Sequence, residues 1–87
     1  HMSLEEERIK GQLAESLRNN SLLKEIFEQL KESYITDWSQ TDLNDVDARE
    51  HAFYLLRALS DIETQIESHI STGKIATKQI DSIVRKK

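Results

Sequence analysis

The side chains that could do chemistry are concentrated in residues 33–50, SYITDWSQTDLNDVDARE. Two large aromatics, Tyr34 and Trp38, are followed by a run of Asp, Asn, Ser and Thr. Closely spaced oxygen atoms suggest a calcium loop, clustered acids suggest acid–base catalysis, and exposed aromatics suggest a surface that binds another protein. A plain turn between two helices is the fourth interpretation.

Calcium binding is the most specific of these interpretations, because the ligand spacing of an EF-hand loop is fixed. Asp42 and Asn44 match the first two ligands of that loop. The loop then requires an oxygen ligand where Val46 stands, a glycine where Asp47 stands and a glutamate where Phe53 stands. These essential positions carry the wrong residues, so we predict no calcium site.

Zinc binding and covalent catalysis lack suitable side chains. The chain has no cysteine, which fits a reducing compartment. His51 and His69 would lie ~27 Å apart on one helix, since each residue adds ~1.5 Å, so they cannot share an ion within one chain. The sequence has no nucleophile elbow and no glycine-rich phosphate loop. We therefore predict no metal, no cofactor and no enzymatic activity.

Helix is the favoured secondary structure. The sequence has no proline and two glycines, and Glu, Lys, Gln, Leu and Ile are frequent. These residues form helices readily, whereas proline would interrupt the helical hydrogen bonds. We expect an all-α protein, in which His1 and Met2 are the remnant of an expression tag.

The first predicted helix covers residues 3–18. Ile9, Leu13 and Leu17 recur every four residues and form one apolar stripe. Gly11 weakens this helix by up to ~1 kcal/mol relative to alanine. We therefore expect it to be the least secure helix of the chain.

A second helix at about 21–40 and a third at about 45–72 carry the strongest apolar patterns. Ala52, Leu59 and Ile66 recur at seven-residue intervals, which is close to a coiled-coil heptad. We expect these two helices to pack as an antiparallel hairpin. The residues predicted to form its core or an oligomer seam are Leu23, Phe27, Leu30, Phe53, Leu56, Leu59, Ile62 and Ile66.

Thr72 and Gly73 are expected to end the third helix, because glycine readily adopts the left-handed conformation found at helix C-termini. Residues 75–86 would form a short last helix that needs a groove to pack in, since isolated helices of this length barely form in water. The chain is accordingly divided into one helical domain at 3–73 and a basic C-terminal segment at 74–87. A chain of 87 residues buries a modest core, so we expect a homo-oligomer, either a dimer or a larger ring.

The acidic part of the opening stretch then has a structural explanation. Asp42 or Asn44 would cap the N-terminus of the third helix. Asp45, Asp47 and Glu50 would lie in its first turns, where the helix dipole favours negative charge. The run is therefore interpreted as a helix start.

Tyr34 and Trp38 lie one helical turn apart near the end of the second helix. We favour a core position for Trp38, and less strongly for Tyr34, closing the inside of the hairpin. The alternative is an aromatic anchor that binds a partner, because Trp and Tyr dominate binding hot spots.

Charge is distributed unevenly along a chain whose net charge is −4. Residues 1–73 hold seven basic and fifteen acidic side chains, whereas residues 74–87 hold five and one. An acidic body disfavours phosphate binding, so nucleic acid would contact only the tail. The possible nucleic-acid-binding residues are Lys74, Lys78, Arg85, Lys86 and Lys87. The alternative is a solvated C-terminus that frays.

The order of several motifs resembles small helical proteins encoded by tailed phages and prophages. The resemblance covers about residues 19–76, and its shared elements are Leu22-Leu23, Tyr34 with Trp38, Asp47-Ala48-Arg49-Glu50, the leucine stripe and Thr72-Gly73-Lys74. Such proteins are often encoded among virion structural genes. The resemblance therefore implies a role in assembly and supplies no functional residues.

Three functions follow as hypotheses. The first is a non-enzymatic, homo-oligomeric structural, assembly or protein-interaction protein of phage origin, with itself and other virion or host proteins as partners. The second is a nucleic-acid-associated packaging or regulatory subunit that uses the basic tail. The third is a small inhibitor of a host protein. Because the apolar runs are too short to cross a membrane, we expect a soluble protein without membrane association, in the host cytoplasm or the virion.

Overall fold

The computed structural model describes residues 2–86, which form three α-helices and no strand. Helix α1 is Leu4–Arg18, α2 is Ser21–Ser39 and α3 is Val46–Arg85. The predicted all-α class is confirmed.

The described residues fall into two compact units. Unit 1 comprises residues 2–20 and 64–86 and contains α1 with the C-terminal half of α3. Unit 2 comprises residues 21–63 and contains α2 with the N-terminal half of α3. The predicted segment boundary at residues 73 and 74 lies inside α3.

Helix α1 begins with a cap that is formed by its own side chains. The Ser3 hydroxyl accepts a hydrogen bond from the backbone N–H of Glu6 at 3.2 Å and donates one to Glu6 Oε1 at 3.0 Å. This satisfies one of the N–H groups that a helix start leaves unpaired. A hydrogen bond from the Arg8 guanidinium, together with its charge, holds the pKa of Glu5 below its ordinary value. The ionised acids of this turn also complement the helix dipole.

Helix α3 is capped by Asp45. Its Oδ1 accepts a hydrogen bond from the backbone N–H of Ala48 at 3.1 Å. The prediction that Asp42 or Asn44 caps this helix is wrong, because the turn places Asp45 immediately before the first helical residue. Arg49 holds this turn in place by donating hydrogen bonds to the backbone carbonyls of Asp42 and Leu43.

Replacing Asp45 with alanine should lower the free energy of unfolding by about 1 kcal/mol, because the N–H of Ala48 loses its partner. Asp42→Ala is the matched control, since Asp42 contributes its backbone carbonyl to the turn and that carbonyl survives the change. Urea unfolding of the two variants measures the difference. Equal losses in both would contradict the assignment of the cap.

Helix α3 runs without interruption through the predicted stop. The prediction that Thr72 and Gly73 end a helix, followed by a separate short helix at 75–86, is wrong. No described glycine has a positive φ angle, so Gly73 does not take the left-handed conformation of a helix terminus. Gly73 instead lies inside α3, where its missing side chain makes room for α1.

In unit 1, most of the buried residues between α1 and α3 are small. The buried side of α1 is formed by Gly11 and Ala14, and that of α3 includes Ile70, Gly73 and Ala76. A Cβ atom placed on Gly73 would lie 2.7 Å from the Cα of Gly11, so the two backbones are in direct contact. Helix α1 runs antiparallel to this half of α3.

The antiparallel direction of α1 follows from two contacts at different positions along α1 and α3. The Glu7 carbonyl lies at Gly73, whereas Arg18, eleven residues further along α1, forms an ion pair with Glu67 at 3.3 Å. This exposed pair adds little stability in water, so the packing of the small residues is the main contact.

Among the described residues, unit 2 has fewer buried residues than unit 1. Ala52 and Leu59 of α3 are its buried apolar residues among those described. Along α2, Leu23, Phe27, Leu30 and Tyr34 are half-buried. An ion pair between Lys31 Nζ and Glu63 Oε1, at 2.8 Å, joins α2 to α3.

Candidate functional site

The apolar stripe of α1 faces solvent. Ile9, Leu13 and Leu17 are 44%, 61% and 50% exposed. Because a helix turns about 100° per residue, Leu13 lies about 160° around the axis from Gly11. Helix α1 therefore has two apolar faces, a small one that contacts α3 and a large one whose side chains are about half exposed. We call Ile9, Leu13 and Leu17 the outer stripe.

Sequence reasoning missed the contact between small residues. It treated Gly11 as a weak point of the first helix and Gly73 as the end of the third. A signal was present, because each of the two glycines is followed by alanine three residues later, as Gly11-x-x-Ala14 and Gly73-x-x-Ala76. This spacing places two small residues on one helix face and lets backbones approach closely.

The residues predicted for a core or an oligomer seam differ in their exposure. Leu59 is buried and Phe53 and Ile62 are exposed. The half-buried ones are Leu23, Phe27, Leu30, Leu56 and Ile66. Phe53 and Ile62 therefore do not belong to the core of the single chain, where Phe53 instead packs its ring edge-on against Tyr54. Their place in an oligomer seam stays a prediction.

The end of unit 2 around the α2–α3 connection presents large apolar side chains to solvent. Trp38 is 51% exposed and Leu43 is 87% exposed, and Val46 is exposed as well. The preference for a core position of Trp38 is therefore wrong, whereas Tyr34, one turn earlier, is half-buried. Trp38 lies in the last turn of α2, so only one residue of that helix follows it and could help to cover the indole. We call residues 37–50 the tip.

The backbone of the tip is held by local hydrogen bonds. The hydroxyls of Ser39 and Thr41 donate to the carbonyls of Thr36 and Trp38, at 2.7 and 2.8 Å. The same two carbonyls also accept hydrogen bonds from the backbone N–H groups of Gln40 and Thr41, so the hydroxyls reinforce the end of the helix. Trp38 is thus displayed on a defined backbone.

The described acids of the tip do not form a cluster of the size that holds a metal ion. Within residues 2–86 no group of three or more His, Asp or Glu side chains lies close enough to hold a metal ion. No polar or charged side chain among these residues is buried. Burial is the usual cause of the raised carboxyl pKa values on which acid catalysis depends.

Because α3 continues unbroken to Arg85, several basic side chains lie on one side of the same helix. Lys74, Lys78 and Arg85 fall within an arc of about 40°, since each residue turns the helix by about 100°. All three are exposed, and Asp81 lies about 20° outside this arc, next to Lys74. Lys86 is exposed at the next position, and Lys87 lies outside the described residues.

A shallow groove of about 400 Å³ runs beside the contact between Gly11 and Gly73. Its charged walls are mixed, because Arg8, Lys74 and Lys78 share them with Glu15. The Arg8 guanidinium is already paired with Glu5. The groove is therefore not a dedicated anion site.

Within the part of the chain that the structure describes, no helix is both long and apolar enough to cross a membrane. Comparison of the chain with protein-family models, with curated proteins and with solved structures finds no match in any of the three.

Proposed function

We propose that this protein is a non-enzymatic, homo-oligomeric structural or assembly protein of the kind that tailed phages encode. The observation that carries the proposal is the outer stripe, a row of large aliphatic side chains on α1, each of them at least 44% exposed. Such rows are typical of helices that pack on both sides. A second copy of the chain is the occupant that we assign to it.

The small core of the single chain supports self-association. Its buried apolar residues are Ala14, Ala52, Leu59, Ile70 and Ala76, of which three are alanines, and none of the larger described side chains is fully buried. Small domains gain the missing apolar burial by oligomerising. Burying one half-exposed residue of the outer stripe contributes roughly 1 kcal/mol.

A hairpin of α2 and α3 is part of the proposal. The half-buried row on α2 and the ion pair between Lys31 and Glu63 support antiparallel packing of α2 against α3 within unit 2. The helices would then be rigid supports for exposed apolar residues. Assembly needs no more chemistry than such surfaces provide.

A second candidate is a nucleic-acid-associated subunit, favoured by the alignment of Lys74, Lys78 and Arg85 on one side of α3. Phosphate contacts of this kind weaken steeply as salt concentration rises. A gel shift with duplex DNA at increasing salt tests this candidate, and the absence of a shift at low salt would remove it.

Replacing Leu13 with glutamine tests the outer stripe. The two residues have similar helix propensities, and Leu13 is mostly exposed, so α1 should stay folded. In a symmetric dimer the change acts twice and should cost roughly 2 kcal/mol, which is about a 30-fold rise in the dissociation constant. Sedimentation equilibrium over a concentration series measures it.

Glu15→Gln is the matched control, because it also introduces glutamine into α1 but lies on the opposite side of the helix from Leu13. It should leave the dissociation constant unchanged. Equal association of the Leu13→Gln variant and the unmodified chain would show that the outer stripe is not the contact.

A further inference from the structure

Unit 2 exposes large aliphatic side chains on both of its helices. Leu22 and Ile26 of α2 are 62% and 41% exposed, and Ile62 of α3 is 51% exposed. Half-buried Leu30 lies within about 80° of Leu22 around α2, and half-buried Leu55 lies within about 20° of Ile62 around α3. Each helix therefore has a second apolar row beside the one that packs inside the unit.

An ion pair indicates that the two rows lie on one side of the proposed hairpin. Lys31 Nζ lies 2.8 Å from Glu63 Oε1, so these residues mark the same edge of α2 and α3. Ile26 lies about 140° around α2 from Lys31, and Ile62 lies about 100° around α3 from Glu63, across the buried Leu59. Both rows are thus at the edge opposite the ion pair. We call the exposed and half-buried residues on this side the hairpin face: Leu22, Ile26, Gln29, Leu30, Ser33, Leu55, Ala58 and Ile62.

The hairpin face carries no charge. Residues 22–33 and 55–62, which provide it, contain five and two charged side chains, and all of them lie outside the face. The nearest are Glu25, about 40° beyond its edge on α2, and Asp61, about 60° beyond its edge on α3 and paired with Arg57. In a chain in which 32% of the residues are charged, a neutral exposed face is a specific feature. Its polar members, Gln29 and Ser33, both donate and accept hydrogen bonds.

We propose that the hairpin face of one copy packs on the hairpin face of a second copy about a two-fold axis. The inference rests on the proposed self-association and adds a second contact to the outer stripe. A two-fold contact brings a surface against itself, so charges on it would meet like charges. A neutral face whose polar groups can bond to their own kind satisfies this condition. Two hairpins would then form a four-helix bundle, with Leu30 and Leu55 in its core.

A second copy fits the hairpin face better than nucleic acid or an anionic membrane does. Phosphates and anionic lipid headgroups are bound by Lys and Arg, and the face contains neither. The acids beside it on α2, Glu25 and Glu32, would repel both. A basic protein would be attracted by these acids, but that attraction weakens as salt increases. A contact between two neutral faces should withstand salt.

Two different two-fold contacts join more copies than one contact does. The outer stripe and the hairpin face consist of different residues, so each can join two copies of the chain. Together they link dimers into a tetramer or a longer assembly. The unmodified chain should therefore exceed the mass of a dimer.

Replacing Ile62 with glutamine tests the hairpin face. The change acts twice in a two-fold contact and should raise the dissociation constant of that contact about 30-fold. Ile35→Gln is the matched control, because Ile35 is 52% exposed but lies about 180° around α2 from Ile26. It should leave the dissociation constant unchanged. Circular dichroism verifies folding, and Leu22→Gln, at the most exposed aliphatic residue of the face, replaces Ile62→Gln if helix content is lost.

Combination with Leu13→Gln separates the two contacts. Sedimentation equilibrium is run at concentrations a few-fold above those at which the unmodified chain assembles, at low and at high salt. Ile62→Gln should leave a dimer joined through the outer stripe, and Leu13→Gln should leave a dimer joined through the hairpin face. The double variant should be a monomer. High salt should not dissociate the unmodified assembly.

Two results would overturn this contact while leaving the proposed function in place. Equal masses of the Ile62→Gln and Ile35→Gln chains, with dissociation by Leu13→Gln, would leave the outer stripe as the contact between copies. Assembly that weakens steeply as salt increases would show that charges, and not the neutral face, hold the copies together. A monomer of the unmodified chain at every concentration would contradict the proposed function itself.

Discussion

Replacing Gly73 with alanine should detach α1 from α3. A Cβ atom at this position would lie 2.7 Å from the Cα of Gly11 and 3.1 Å from the carbonyl oxygen of Glu7. Both neighbours are backbone atoms, so no side-chain rotation can relieve the clash. The helices have to separate, and Ala14, Ile70 and Ala76 then lose their contacts. Overpacking of this kind costs about 1–3 kcal/mol, and loss of the buried contacts adds to it.

The predicted change in stability has the opposite sign to the usual effect of replacing a helical glycine with alanine. At an exposed position inside a helix, glycine to alanine stabilises by up to ~1 kcal/mol. At Gly73 we expect destabilisation, together with faster hydrogen exchange of the α1 amides. Ser71→Ala is the matched control, because it places an alanine on the exposed side of the same turn. A Gly73→Ala variant with a higher melting temperature and unchanged exchange would contradict the close contact.

A double variant sharpens this test. A Cβ atom on either Gly11 or Gly73 would clash with the backbone of the other residue, so the first substitution already separates the helices. Adding Gly11→Ala should then cost much less than it does alone. Residues in direct contact show such non-additivity, whereas independent sites add within about 0.5 kcal/mol.

Replacing Leu59 with aspartate should unfold unit 2. Leu59 is 5% exposed and is the largest buried side chain of that unit among the described residues. Removing a buried leucine side chain costs about 2–5 kcal/mol, and an unpaired buried carboxylate costs more. A domain of this size has a total stability of roughly 4–13 kcal/mol. We therefore expect loss of helical circular dichroism at 25 °C.

Two variants separate the causes of that loss. Ser60→Asp introduces the same charge at the next, exposed position and should leave the spectrum unchanged. Leu59→Ala removes the side chain without adding a charge and should give a folded protein with a lower melting temperature. A Leu59→Asp chain that melts like the Ser60→Asp chain would show that Leu59 is not a core residue.

Local rules were sufficient to predict the helical class and most helix ends. Leu4, Ser21 and Val46 begin the helices within one residue of the expected positions, because caps, acidic first turns and the Asn19-Asn20 break are short-range features. The apolar period likewise places Leu59 on the side of α3 that is buried.

Long-range contacts explain what the sequence did not reveal. Gly73 looked like a helix end, since a glycine in isolation favours one, but packing against Gly11 keeps it helical. Large residues were expected to pack inward, yet the small face of α1 does so and leaves Leu13 outside. Trp38 continues the inward row of α2 but lies in the last turn of that helix. The positions of these three residues cannot be predicted without knowing how the neighbouring helix packs.

Two of these outcomes leave large apolar side chains exposed. Packing through small residues frees the large aliphatic residues of α1 for another chain. The position of Trp38 in the last turn of α2 likewise frees an indole at the tip. Of these two surfaces, the outer stripe is the one that we assign to assembly.

The mass of the unmodified protein in solution is the most direct test of this account. Sedimentation equilibrium at high micromolar concentration should give a dimer or a larger assembly of the 10.1 kDa chain, and the mass should fall on dilution. A single species of 10.1 kDa throughout that concentration range would contradict it.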